Sequence, residues 1–241
     1  MQSLVAQNAD HLLGFCLDSI TSTGDRVAVF GPAPQEHTAL VLERDGLLYV
    51  DCGRHYDWSP RIDALNMVLA DGVKAVLYAS PNYPTGTIFP HTKVEEVVER
   101  YPRAVLIFDC RLAVHIDLNS IGEQTIAFGT TGKQDGIEVF AHGKPIHGAT
   151  KSLPEGIIKT TQLDVVEDGR TYPLKRSVAD RLDKEGFRVE RDAPGFLFVQ
   201  KIGKSAEEIS EELRGLGLVP SFESIHTWRG GVCVRLEEGS V

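Results

Sequence analysis

No segment of this chain approaches the roughly 18 consecutive apolar residues that a membrane-spanning helix requires, so no span is expected. The first residues, MQSLVAQNADHLLGF, also lack a basic stretch followed by a cleavable apolar run, and a cytoplasmic protein is the expectation. Cysteine is scarce. The four present (Cys16, Cys52, Cys110 and Cys233) are far apart and form no C-x-x-C pair, so reduced, mostly buried thiols are expected. The eight histidines form neither H-x-H nor H-E-x-x-H, His142 and His147 being the nearest pair, and no metal is expected. Positive charge is short as well: 25 Lys and Arg against 34 Asp and Glu leave a net charge of −9. The basic residues are scattered among acids, which argues against a nucleic-acid partner.

What is present is ordinary globular material. A chain of 241 residues with 42% hydrophobic and 24% charged content can form one large domain, or a main domain with a smaller appendage. Apolar runs alternate with helical patterns. Asp10 is placed to cap a helix over 11–20, whose Leu13, Cys16, Leu17 and Ile20 share a face. Strands are expected over 26–30, 47–51, 73–78, 104–108 and 125–128, with helices over 60–70 and 91–101. This order predicts an α/β fold, a mostly parallel sheet covered by helices, with ligand chemistry at the carboxyl ends of the strands. The pattern then changes. Residues 143–172, rich in Gly, Pro, Lys and Thr, read as a linker, and 173–241 as a small C-terminal α+β domain following a large domain over 1–142.

Three features share that carboxyl edge: the segment SPNYPTG at 80–86, Asp109 at the end of an apolar strand, and the loop at 129–133. A carboxylate and a lysine (Lys133) on neighbouring strand ends suit a pyridoxal phosphate (PLP) site, where the lysine forms a Schiff base and the carboxylate keeps the pyridine nitrogen protonated. They equally suit an edge salt bridge or two unrelated surface charges. A nucleotide-binding reading of GTTGK fails at both ends. The first glycine position of G-x-x-x-x-G-K-[ST] is Ala127, and Gln134 follows the lysine. Cys110, beside Asp109, is a conceivable nucleophile, although a buried inert thiol is the simpler reading.

SPNYPTGTIFP resembles the S-P-N-N-P-T-G segment of the class I/II aminotransferases of PLP fold type I, especially the histidinol-phosphate aminotransferase branch. Further likenesses follow in the family's order. STGDRVAVFGPAP is similar to P-G-D-x-V-x-V-x-x-P, AVLIFDCRLAV to the strand ending in D-E-A-Y, and IAFGTTGKQDGI to S-x-S-K-x-x-G. FRVERDAPGFLFVQ and GVCVRLEEG are similar to the closing strands. The resemblance implies a PLP-dependent enzyme acting on an amino acid or amino-acid phosphate, most simply an aminotransferase, with decarboxylation as the neighbouring chemistry. It places Lys133 at the Schiff-base lysine and Asp109 at the pyridine-nitrogen aspartate. Arg235 and Asn82 fall to substrate binding, and Ala9, Asp10, Thr130, Tyr83 and His37 to the cofactor, with His37 near a ring-stacking position.

The chain also departs from that pattern. Tyr83 stands where the family's phenolic-oxygen asparagine belongs, and Leu112 where its tyrosine belongs. Glu138 aligns with the phosphate arginine, and Asn8-Ala9-Asp10-His11 keeps only part of G-[SA]-[DN]-E. Two functions follow: a PLP enzyme working as a homodimer, or a homologue without PLP catalysis. The latter would be a regulatory or scaffolding partner of an intact aminotransferase, or a pocket turned to PLP-independent biosynthetic chemistry.

Overall fold

Apolar runs such as AVLYA and VLIFD must be covered on both faces, and pairing them side by side between layers of helices achieves this. The computed structural model describes residues 3–31, 33–43, 46–51, 61–83, 85, 87–89, 91–113, 117–131, 138–146, 153–163, 173–190, 196–221 and 231–235. The first half contains β1 (Ser3–Ala6), α1 (Ala9–Ile20), β2 (Val27–Gly31), α2 (Gln35–Leu42), β3 (Leu47–Asp51), α3 (Ile62–Ala70), β4 (Ala75–Ala79), α4 (His91–Val98) and β5 (Val105–Asp109). Then come β6 (Thr125–Thr130), β7 (Val139–His142), β8 (Ile157–Thr160), α5 (Pro173–Lys184), β9 (Arg188–Glu190), β10 (Phe196–Gln200), α6 (Ala206–Gly215), β11 (Pro220–Ser221) and β12 (Gly231–Arg235).

Eight strands form one sheet in the order β3-β2-β4-β5-β6-β7-β1-β8. From β3 to β6 the pairs are parallel, and from β6 to β8 they are antiparallel. Alternation along β4 divides the core. Ala75 and Leu77 join the cluster built with α1 and Val41 of α2, whereas Val76 and Tyr78 join the one built with α3 and α4. The chain steps outward from β2 to β3 and then back across β2 to β4, so the strand order reverses between β2 and β4. In such sheets the loops that leave the carboxyl ends at the reversal diverge and open a crevice. A second sheet, β11-β12-β10-β9, packs with α5 and α6 around its own apolar cluster, which includes Leu182, Leu197 and Leu213.

Three expectations change. Asn8, not Asp10, caps α1: its side chain accepts from the backbone N–H of His11 at 2.8 Å. Asp10 stands exposed in the first turn, where its charge complements the helix dipole. The stretch 143–172 is not all linker. Ile157–Thr160 pairs with β1 as an outer strand, and Ile146 and Ile157 are buried in the main cluster. Strands β1 and β7 and helix α2 are additional, each short and recognisable only once long-range partners supply the burial.

Candidate active site

Asp109 and the segment at 80–86 meet because β4 and β5 pair in register, Ala79 opposite Asp109. The Ser80 backbone N–H then donates to the Asp109 carbonyl at 3.0 Å. Beyond it the loop closes on itself. Asn82 N–H donates to the Thr87 carbonyl at 2.8 Å, and Phe89 N–H donates to Ser80 Oγ at 2.9 Å. Asn82 Nδ2 donates to Thr85 Oγ1 at 3.2 Å, and both side chains are fully buried. The described contacts of Asn82 therefore hold the loop. Tyr83, next to it, is half-buried.

The side chain of Asp109 carries the densest polar arrangement on this edge. Arg111, two residues on, wraps back so that its backbone N–H and Nε donate to Oδ1 at 3.1 and 3.0 Å. Its Nη2 and Nε reach Oδ2 at 2.7 and 3.1 Å. His37 Nε2 lies 2.8 Å from the same Oδ2. Arg111 Nη2 also donates to Glu36 Oε1 at 2.9 Å, and its guanidinium carbon sits 5.1 Å from the centre of the Phe128 ring. Helix α2 delivers Glu36 and His37 in its first turn, just past the carboxyl end of β2. Sequence reasoning placed His37 near a ring-stacking position, but the structure buries it completely against the Asp109 carboxylate. Arg111 and Glu36 were missed. Their one visible signal is a basic residue beside a strand-ending aspartate.

The charges sustain one another. Burial alone would push the Asp109 carboxyl up, but the Arg111 guanidinium and the His37 contact outweigh it and hold the group well below the usual carboxylate range. Burial opposes the charge on Arg111 too, and the Asp109 and Glu36 carboxylates raise its pKa regardless. Cys110 faces the other way. Burial first, and the Asp109 charge second, push its thiol up, and Sγ donates to the Phe128 carbonyl at 3.1 Å. A buried, protonated thiol is a poor nucleophile, so Cys110 packs rather than reacts. The adjacent strand approaches closely here. A Cβ on Gly129 would lie 2.6 Å from the Phe140 ring and 3.3 Å from Cys110 Sγ.

The remaining site residues lie around β6, β7 and α1. Thr130 ends β6 half-buried, and Ala9 and Asp10 open α1. Between them sits Glu138, buried, with Oε1 accepting from Gln7 Nε2 at 2.9 Å. The Glu138 carbonyl accepts from Thr131 N–H at 2.7 Å. Leu112 is exposed. Lys133 lies outside the described residues. Arg235 ends β12, and its side chain lies outside them too.

PLP requires an ionised carboxylate for its ring nitrogen, a donor-rich cradle for its phosphate and a lysine amine. Asp109 fits the first need, being buried, ionised and at the end of a central strand. Thr130 supplies a hydroxyl at the same edge, next to Thr131, whose N–H donates to the Glu138 carbonyl. The acceptor positions of this carboxylate are filled by Arg111 and His37.

Residues 5–112 match the family model "Aminotransferase class I and II". A glutamate-pyruvate aminotransferase of Haemophilus influenzae is 25% identical over 222 residues, covering 86% of this chain and 54% of that protein. Histidinol-phosphate aminotransferase 3 of Mesorhizobium japonicum is 29% identical over 108 residues, 44% of this chain and 29% of that protein. The chain thus spans about half of the first relative and less of the second. Among solved structures, the histidinol-phosphate aminotransferase from Clostridium acetobutylicum superposes with a TM-score of 0.75 at 12% identity, covering 98% of this chain and 79% of that one. This chain therefore resembles the class I and II aminotransferases in sequence and has the fold of these PLP-dependent transferases.

Proposed function

We propose that the chain is an aminotransferase-like enzyme that takes PLP at the carboxyl edge of its large sheet and acts on an amino acid or amino-acid phosphate. The observation that carries this reading is Asp109, a buried, ionised carboxylate ending β5 beside the Ser80–Phe89 loop. When bound, the cofactor supplies an electron-withdrawing ring that stabilises charge developing at the substrate Cα. Asp109 would be the carboxylate that keeps the ring nitrogen protonated. With PLP bound, Lys133 would supply the amine that holds it and the general base and acid that moves the proton at the substrate Cα. Arg235 would pair with the substrate carboxylate, and Thr130 and the first turn of α1 would hold the phosphate. The family resemblance supports a homodimer.

Arg111 on Asp109 and the buried Glu138 favour a second reading, a homologue that keeps the fold without PLP catalysis. Titration of the purified protein with PLP separates the two. The enzyme reading expects a visible absorbance that borohydride abolishes, leaving the reduced adduct on the peptide containing Lys133 and none in Lys133→Ala. A colourless protein, or an adduct unchanged in Lys133→Ala, leaves the cofactor-free reading.

A further inference from the structure

We infer that Arg111 is an internal occupant of the seat at Asp109, so that the ring nitrogen of PLP can reach the carboxylate only after the guanidinium swings away. This rests on the proposed reading of Asp109 as the ring-nitrogen partner. An ionised carboxylate offers about four lone-pair positions. Arg111 N–H and Nε occupy those on Oδ1, while Arg111 Nη2 and His37 Nε2 converge on Oδ2. A protonated ring nitrogen would therefore find no free acceptor, and would also stand beside a like charge.

The same geometry shows which donor yields. The His37 side chain is 0% exposed and that of Asp109 4%, whereas those of Arg111 and Glu36 are 21% and 33% exposed. Arg111 alone among the side-chain donors on Asp109 has a route to solvent, and Glu36, already 2.9 Å from Nη2, can keep hold of it as it turns outward. His37 has no such exit and stays to orient the carboxylate. The seat is closed at rest, and cofactor affinity is set by competition with an arginine of the same chain.

The test is binding of PLP, and of pyridoxine 5′-phosphate, which lacks the aldehyde and cannot react with stray lysines. Both are titrated into wild type, Arg111→Ala and Arg111→Gln, with thermal melting of each ligand-free variant as the folding check. Removing a charge-assisted competitor should tighten binding at least about tenfold in Arg111→Ala and less in Arg111→Gln, which keeps a side-chain donor near Asp109 beside the backbone N–H common to both. Adding Asp109→Asn to Arg111→Ala should erase the gain. Equal affinities in wild type and both variants would overturn the inference while leaving the cofactor reading intact. Binding by Arg111→Ala alone would support the inference and move the wild type to the cofactor-free reading. Binding by none would overturn both. If the variants do not fold, the Arg111 Nε–H resonance of the wild type decides. Its shift to a solvent-exchanging position on adding PLP supports the inference, and its persistence in a complex carrying PLP on Lys133 overturns it.

Discussion

The loop after β4 and the corner after β5 stand side by side on one sheet edge and use their polar groups in opposite ways. In the loop, Ser80, Asn82, Thr85 and Thr87 bond to one another and to nearby backbone, all neutral. In the corner, Glu36, Arg111, Asp109 and His37 form one cluster in which every side-chain partner of Asp109 is ionised or ionisable. The loop motif is thus sufficiently explained by the turn it builds, and it persists whether or not chemistry takes place nearby. In the corner, by contrast, a buried carboxylate is held at the cost of desolvating its charge. Recognising the loop reports descent, and reading the corner reports what the site can bind.

The contrast can be broken by substitution. Asp109→Ala should have the largest effect. It strands Arg111 and His37 without their anion, and a loss of about 3–5 kcal/mol is expected in denaturant unfolding. Asn82→Ala should cost less, about 1–3 kcal/mol for one unmade buried hydrogen bond, and should leave the pH dependence of stability unchanged. Of the two regions, the corner should carry the acid-sensitive contribution. The folded-state pKa of Asp109 lies below its unfolded value, so its stabilisation is complete above the unfolded pKa of about 4 and is lost as pH falls below it. Melting temperature followed from pH 6 downward should fall less steeply in Asp109→Asn than in wild type. A parallel pair of curves would contradict the assignment. Glu36→Gln should have the smallest effect, roughly 0.2–1 kcal/mol, because that carboxylate is partly solvated.

The central strands were legible because β2, β4, β5 and β6 are unbroken apolar runs, and Asp109 stood out as a charge ending one of them. The segment at 80–86 was legible through its prolines and glycine. Strand β8 was not, because Ile157–Thr160 is a single outer strand within a Gly- and Pro-rich stretch, and its partner β1 lies some 150 residues away by sequence. Helix α2 follows Pro34, which offers no side-chain cap, and has a weakly amphipathic pattern, so its first turn gave little sign of carrying Glu36 and His37 to Asp109. The Arg111–Glu36 pair joins residues 75 apart, a closure that only the β2–β4 reversal creates. Periodicity therefore revealed the layers, whereas the site depended on which loops those layers brought together.

The most direct measurement is a double-mutant cycle between Asp109 and Arg111, using Asp109→Asn, Arg111→Gln and the double variant in equilibrium unfolding. If the guanidinium occupies the carboxylate, the two substitutions should be non-additive, with a coupling energy of about 1.5–3 kcal/mol. Additivity within about 0.5 kcal/mol would mean that Arg111 rests in solvent and that Asp109 stands open, contradicting the closed seat.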